Sequence, residues 1–423
     1  MMELLYYKVV RGRLLMGEPA AKRAKLPELE EAQHAVDCGD LLAAATAFRA
    51  SLAAQPRSHI ARLGLASALR GDADQDQLVE VEELLAGACQ GPGGVAREAR
   101  SKLALLLAQE GRDDEADVHM LRLGCRYRLA DVVLRYALQP DESSGCEYAA
   151  CFDSALQPAA LAHLQRCFAP DAPFWTAHAY QNPSTGYFSY THSLRQPPRC
   201  AFEQLLATLV ARATAWCPAA SSATAVEWWA HCRPHGSGHQ MHFDSADEGA
   251  SAGGPMHPLV STVLFLDASC GGPTLVTPQR RHGPGAALAK TGWLAHGREG
   301  RLLCFDGGVL HGVLPGRGPT PRQGSRRVTL MVALWPQQEA RDLTTVGAAR
   351  AFPVGPNAPA WALQLAGGPP RPEWELLAAQ PTVDAPLSQL PCVWQDVKGN
   401  EEVHVRLAQL EGLPHYSLCF QGF

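Results

Sequence analysis

The sequence predicts an α+β protein of several domains, an N-terminal α-helical repeat region followed by an antiparallel β-sandwich or jelly roll. Three observations predict it. Residues 28–139 are rich in Ala, Leu, Glu and Arg and nearly free of proline, which is a helical composition. Within them, small, large apolar and proline residues recur at matching offsets. From residue 226 to 335, short β-branched and aromatic runs alternate with Gly/Pro turns, as in an antiparallel sandwich. A length of 423 residues allows two to three domains at roughly 150 residues each. A hydrophobic share of 46% against 19% charged supplies real cores and excludes wholesale disorder.

The chain divides into a basic N-terminal segment (1–27), the helical region (28–140), a β-rich domain (141–340) and a C-terminal linker and extension (341–423). Residues 1–26 carry six Lys/Arg against two acids, opposite in sign to the net charge of -5. That net charge argues against a nucleic-acid-coating protein. No apolar run reaches the ~18 to 20 residues of a membrane span, and the patch Leu4 to Tyr7 is too short for a signal peptide. The stretch Pro-Ala-Ala-Lys-Arg-Ala-Lys-Leu (19–26) resembles the nuclear-localisation signal of the Myc transcription factor; a solvated basic tail is the equally weighted reading. The 13 cysteines include no CxxC pair, so a disulfide framework and a structural zinc site are both disfavoured. The expected setting is intracellular, nucleus or cytoplasm.

In the helical region, Gly39 is followed by Ala44, Phe48 and Pro56, and Gly111 by Ala116 and Met120 at the same offsets. Pro92 lies 36 residues after Pro56, with Leu84 at the offset Phe48 has from Pro56. A small residue lets two helices approach, a large one a turn later fills the groove, and a proline stops the second helix. This resembles about three degenerate tetratricopeptide repeats, the middle one stretched by residues 71–77. Ala35 stands where the large aromatic of the first helix is usual, and a generic helical bundle is the alternative.

After Pro140 the periodicity predicts helices over 157–168 and 202–216, around an aromatic, turn-rich stretch at 174–190. Strands are expected at 227–233, 240–244, 259–267, 273–277, 300–306, 309–313 and 327–335. Residues 352–372 read as a Pro/Gly/Ala-rich linker. Two strands are expected beyond it, at 393–396 and 402–405, joined by a turn at 398–400.

Five of the 16 histidines fall between His231 and His257. In the run from Gly238 to Asp244, Gln240, His242 and Asp244 share one face of a strand. A His and an Asp on the inner wall of a barrel are poor core residues, because a buried carboxylate needs a partner charge. A divalent metal supplies one. A third ligand, His311, follows a strand and a Gly turn 67 residues after Asp244. Two His and one carboxylate on one face of an octahedron are diagnostic of non-haem Fe(II) oxygenases. Arg327 opens an otherwise apolar strand with Thr329 two positions on, and a guanidinium there needs an anion.

His242-x-Asp244, His311 and Arg327-x-Thr329 together resemble the 2-oxoglutarate- and Fe(II)-dependent dioxygenases. The strand order, Gly271-Gly272-Pro273-Thr274 and residues 300–313 are most similar to the prolyl-4-hydroxylase-type branch. The resemblance covers about 145–340 and implies a double-stranded β-helix (jelly roll). It implies Fe(II) on His242, Asp244 and His311, the cosubstrate 2-oxoglutarate on Arg327 and Thr329, O2 as oxidant and ascorbate as reductant. Related halogenases lack the carboxylate, so Asp244 implies hydroxylation or oxidative demethylation. The sequence departs from the pattern twice. The gap from His311 to Arg327 is long, with an inserted loop at 317–323, which leaves Arg326 and Arg317 as alternative clamps. The tyrosine that usually precedes the His-x-Asp strand is replaced around Arg233-Pro234.

His235 and His239 read as polar residues of a turn, with the substrate mouth as the alternative. His231, His257, His282 and His296 read as ordinary surface or hydrogen-bonding residues, and Trp228 and Trp229 as core. Three functions are weighed: a protein hydroxylase whose repeats recruit a polypeptide, a small-molecule or nucleobase dioxygenase, and a non-catalytic adaptor with a degenerate barrel. An exposed groove on the repeats facing the mouth favours the first, a narrow closed pocket the second.

Overall fold

The computed structural model describes residues 27–38, 40–137, 146–180, 188–246, 256–281, 287–337, 349–371, 383–399 and 419–420. The signal-like stretch 19–26, Gly39, His282 and the expected strand at 402–405 lie outside them. No helix among the described residues is long and apolar enough to cross a membrane.

Six helices open the described part of the chain: α1 (Pro27–Cys38), α2 (Leu41–Ala54), α3 (His59–Arg70), α4 (Gln75–Ala88), α5 (Gly93–Glu110) and α6 (Asp113–Leu123). Side-chain caps start three of them. Asp40 accepts from the Ala43 N–H and Ser58 from Ala61, while Asp74 and Gln77 form a reciprocal capping box. Left-handed Gly111 and Gly124 end α5 and α6. Each helix packs on the next. Ala44, Phe48, Ala116 and Met120, the residues at matching offsets, are all buried. A Cβ on Gly64 would stand 2.3 Å from the Phe48 ring, so the contact of α2 with α3 requires glycine there.

Strand β1 (Tyr127–Leu129) and the short α7 (Asp131–Leu134) lead out of the helices. The β-rich part then follows as β2 (Ala149–Asp153), α8 (Pro158–Cys167), α9 (Pro173–Ala177), β3 (Tyr190–Ser193), α10 (Ala201–Trp216), β4 (Ala225–Arg233), β5 (His239–His242), β6 (Val260–Asp267), β7 (Thr274–Arg280), β8 (Gly292–Ala295), β9 (Leu302–Asp306), β10 (Val309–Val313) and β11 (Arg327–Trp335). Each of the seven expected runs overlaps a strand. β8 was not anticipated, because four residues between turns carry too little periodicity. The remaining elements are β12 (Arg350–Ala351), α11 (Ala360–Ala366), β13 (Val383–Ala385), β14 (Ser388–Leu390), β15 (Trp394–Asp396) and β16 (Cys419–Phe420). Helix α11 lies within the stretch read as a linker; Trp361 and Leu365, four apart on one face, bury it against α8 and α10. β15 pairs with β1, which also pairs with β16, while the expected hairpin partner at 402–405 lies outside the described residues.

The architecture mixes helices with three sheets. An eight-stranded sheet runs β12-β3-β4-β11-β6-β9-β2-β13, and a five-stranded sheet runs β14-β8-β7-β10-β5. Their inner faces meet: Val263, Phe265, Phe305 and Met331 of the large sheet share a core with Val276, Trp293 and Val309 of the small one. The outer face of the large sheet is covered by α8–α11. There Trp228, wholly buried, is ringed by Phe168, Phe174, Tyr190, Phe202 and Phe352 at centroid distances of 4.9–6.4 Å. The outer face of the small sheet is covered by the N-terminal helices. Met241, Leu275, Leu294 and Leu310 belong to one core with Leu103, Leu106 and Leu107.

Residues 314–326, between the strand of His311 and the strand of Arg327, lie along those helices. The Pro315 carbonyl accepts from Tyr136 Oη (3.2 Å) and Gln109 Nε2 (3.3 Å), and the Thr320 N–H donates to the Ala73 carbonyl (2.8 Å). The α3–α4 turn also reaches the β4–β5 connection, where the Gly236 N–H donates to the Gly71 carbonyl (3.0 Å).

Glu203 on α10 is fully buried against β3. It accepts from the Arg199 N–H (2.7 Å) and guanidinium and lies 3.4 Å from His192 Nδ1. Burial by itself raises this carboxyl, but His192 and Arg199 outweigh it and hold it at about 2. A depressed carboxylate stabilises the fold above its unfolded value, here about 4.5, and that contribution is lost as pH falls through the folded value. Wild type is therefore expected to lose stability between about pH 4.5 and 2 more steeply than Glu203→Gln, as read by urea denaturation across that range.

Candidate metal centre

His242 ends β5 and His311 sits mid-β10, and the two are direct cross-strand partners. Asp244 follows two residues after His242, beyond the strand. One donor atom from each of the three lies within 4.8 Å of the others. His242 Nε2 and His311 Nε2 stand 3.5 and 3.6 Å from the same oxygen, Asp244 Oδ1. The structure thus brings together the three residues that the sequence singled out as metal ligands.

The hydrogen bonds behind these atoms set their chemistry. His242 Nδ1 lies 2.7 Å from the Gln240 carbonyl and His311 Nδ1 3.0 Å from the Val309 carbonyl. A carbonyl only accepts, so each Nδ1 carries the proton and each Nε2 presents its lone pair. The Ser261 hydroxyl donates to Asp244 Oδ2 at 2.6 Å, leaving Oδ1 for the shared centre, and His257 Nδ1 donates to the Asp244 carbonyl. Contacts of this kind orient the side chains of a metal site.

Burial, reinforced by His242, pushes His311 down to about 4. Burial alone would raise the Asp244 carboxyl, but His311, His242 and Ser261 outweigh it and hold it below the usual carboxylate range. A carboxylate between lone-pair imidazoles is a donor set of one negative charge, which suits a divalent cation.

The cavity at this centre is narrow, and both sheets line it. Trp229, His231, Arg327, Thr329 and Met331 come from the large sheet, and His239, Thr274 and Val313 from the small one. Arg327 is 4% exposed, and its Nη1 donates to the Gly272 carbonyl at 3.0 Å. Gly271, at a φ of +86°, lies over the arginine stem, where a Cβ would stand 3.1 Å from Arg327 Cδ. Thr329, buried at 3%, stands two positions on, on the same wall. The alternative clamps are spent elsewhere. Arg326 grips both oxygens of Asp72 at 2.8 and 2.9 Å. Arg317 donates to the carbonyls of Arg135 and Tyr136.

Three assignments need correction. His239 is not in the turn: it starts β5, lines the cavity and stacks on His242 at 4.5 Å. The cause is a β-bulge. His311 pairs with His242 and Val313 with His239, so three steps on β5 match two on β10. The bulge breaks strict alternation, and Gln240 serves His242 with its carbonyl instead of sharing the wall. His231 keeps the hydrogen-bonding half of its reading, but it is half-buried on the cavity wall and not on the outer surface. It lies on β4 facing the cavity, 3.1 Å from the hydroxyl of the half-buried Tyr180, and desolvation holds its imidazole well below the ordinary range. Trp229 faces the cavity, whereas Trp228 is core. Alternation along β4 (229, 231, 233) was the signal that could have placed Trp229 and His231. His235 is buried but turned away, bonded to the Arg317 carbonyl and the Gly271 N–H.

No protein-family model and no curated protein matches the chain. Solved structures of similar chain trace include a Pseudomonas putida prolyl-4-hydroxylase, 16% identical over 47% of this chain and 99% of that one, with a TM-score of 0.28. They also include SnoN, a non-haem alpha-ketoglutarate-dependent epimerase from nogalamycin biosynthesis (12%; 44% of this chain, 76% of that one; 0.25). A third is HygX from Streptomyces hygroscopicus, solved with nickel and 2-oxoglutarate bound (13%; 48% and 91%; 0.25). Likeness at this level is distant, and what the centre can do follows from its own side chains.

Proposed function

We propose that the protein is an Fe(II)- and 2-oxoglutarate-dependent dioxygenase on a double-stranded β-helix, hydroxylating or oxidatively demethylating its substrate. The observation that carries this reading is the convergence of two Nε2 lone pairs on one carboxylate oxygen, in a cavity that also holds a buried arginine. His242, Asp244 and His311 would hold the metal. Fe(II) with 2-oxoglutarate and O2 supplies decarboxylation to succinate and insertion of one oxygen atom into a C–H bond, with ascorbate as reductant. The chain's own residues do the rest. The carbonyls of Gln240 and Val309 fix the imidazole tautomers, and Ser261 aims Asp244. Arg327 and Thr329 supply donors for the distal carboxylate of the cosubstrate. Trp229, Phe305 and Met331 keep water out, which strengthens each charged contact.

The substrate in this reading is a polypeptide side chain, with the tetratricopeptide-like helices as the recruiting element. Leu42, Ile60 and Val79, exposed on α2, α3 and α4, support it. A small molecule or nucleobase is the second reading, favoured by the narrow cavity and by helices whose opposite side is occupied by the small sheet. The set of metal donors and the buried arginine count against a degenerate adaptor.

Purified protein is expected to convert 2-oxoglutarate slowly to succinate without added substrate, strictly dependent on Fe(II). Arg327→Ala should raise the apparent 2-oxoglutarate KM roughly 10- to 100-fold, the ~1.5–3 kcal/mol of a charged hydrogen bond. A KM that responds only to Arg326→Ala would move the clamp.

A further inference from the structure

His235 is turned away from the cavity and no step of the proposed reaction uses it, yet it is 6% exposed and both its ring nitrogens are engaged. Nδ1 lies 3.0 Å from the Gly271 amide nitrogen and Nε2 3.1 Å from the Arg317 carbonyl. An amide N–H only donates and a carbonyl only accepts, so the ring is neutral with its proton on Nε2. Burial lowers this imidazole from its ordinary value; the bond to the Arg317 carbonyl opposes that, and the Arg70 charge adds to it. The His235 carbonyl accepts from the Gly316 N–H at 2.8 Å. A Cβ on Gly316 would stand 2.3–2.5 Å from the ring, so the imidazole packs directly on that glycine.

These contacts join three connections between strands. His235 belongs to β4–β5, Gly271 to β6–β7, and Gly316 and Arg317 to β10–β11. The Gly271–Gly272 turn presets Arg327: Gly271 packs on its stem and the Gly272 carbonyl accepts from its Nη1. On the other side, the Arg317 guanidinium donates to the carbonyls of Arg135 and Tyr136, and Arg70 Nη2 donates to the Gly316 carbonyl at 3.4 Å. A continuous line of contacts runs from the end of the helical region through Arg317, His235 and Gly271 to Arg327.

We propose that His235 is a positioning residue: through a single tautomer it locks the Gly271–Gly272 turn to the β10–β11 connection and so holds the Arg327 guanidinium ready for an anion. This rests on the dioxygenase reading and adds to it a residue outside the cavity lining. An arginine side chain carries large rotamer freedom, and a fork fixed beforehand loses less of it on binding. Two successive glycines have no side chains to hold their turn in place, and glycine loses more conformational freedom on folding than any other residue. The placement of this turn against Arg327 must come from its neighbours, and the His235 ring supplies the bond to the Gly271 N–H.

The test titrates the full-length protein by calorimetry with Mn(II), and then, with Mn(II) present under nitrogen, with 2-oxoglutarate. His235→Phe keeps a flat ring and removes both the donor and the acceptor. It should weaken 2-oxoglutarate binding roughly tenfold, the worth of one to two hydrogen bonds, and leave Mn(II) affinity unchanged. His235→Gln keeps one donor and one acceptor and should recover most of the loss. Equal 2-oxoglutarate affinity in wild type and His235→Phe overturns the positioning role while the dioxygenase reading stands. Parallel loss of Mn(II) and 2-oxoglutarate affinity also overturns it, because general loosening would do the same. Wild type that binds no 2-oxoglutarate overturns both. Should His235→Phe fail to fold, Gly316→Ala decides, since its Cβ displaces the ring without deleting a polar group. Weaker 2-oxoglutarate binding at unchanged Mn(II) affinity then supports the link, and unchanged binding sinks it.

Discussion

Asp244→Ala is expected to abolish Fe(II)-dependent turnover of 2-oxoglutarate and to lower divalent-metal affinity by well over 100-fold. Asp244 is the one anionic donor of the set, and both Nε2 atoms face the same one of its oxygens. Removing it leaves two imidazoles, their ring centroids 4.3 Å apart, too few donors for tight binding. Losing an outer hydrogen-bond partner typically costs about 10- to 100-fold in metal affinity. Ser261→Ala should therefore show that smaller loss, because it frees Asp244 to turn without deleting it. Co(II) titration by visible absorbance reads both variants, and circular dichroism checks that they fold. Metal affinity and turnover in Asp244→Ala equal to wild type would refute the assignment of the centre.

Arg128→Ala is expected to destabilise the protein by about 3–5 kcal/mol, the cost of removing one member of a buried ion pair. Arg128 on β1 is 1% exposed. Its Nε lies 3.0 Å from Asp117 Oδ1, its Nη2 3.3 Å from Asp113 and its Nη1 2.6 Å from Asp131. Asp117 is itself almost fully buried, and burial raises its carboxyl against the pull of the Lys398 N–H and Arg128. Without the guanidinium, Asp117 is stranded as a buried anion. Because β1 is the centre of the sheet β15-β1-β16, the loss falls where the helices meet the C-terminal strands. Urea denaturation gives the difference; a change below about 1 kcal/mol would mean that water replaces the arginine.

The candidate metal donors were legible because their chemistry is out of place. A His-x-Asp on an apolar strand has no packing explanation, and a cation supplies one. Arg327 was legible for the same reason. The strands of the two sheets were legible because β-branched runs between Gly/Pro turns have few other solutions. What escaped the sequence depended on relations between strands. His239 joins the wall through a bulge that appears only when β5 is laid beside β10. His231 and Trp229 needed the choice of which face of β4 looks inward. Arg326 and Arg317 could be separated from Arg327 only by the helices that engage them, and β8 by the neighbours that pair with it. Helix α11 hid in a stretch whose proline and glycine content outweighed seven helical residues.

The rear of the five-stranded sheet carries one more consequence. Met241 lies between His239 and His242 in sequence, and Leu310 immediately precedes His311, yet both side chains point away from the metal donors into the N-terminal helices. The donors and the helical arm are thus two sides of the same few backbone residues. The division near residue 140 is a boundary in sequence and not in energy. A truncated chain beginning there would present a plate of methionine and leucine to water, an aggregation liability, and its ligand strands would lose the surface that holds them flat. Substitutions far out on the helices can therefore reach the chemistry without touching the cavity, by loosening the backing on which it is built.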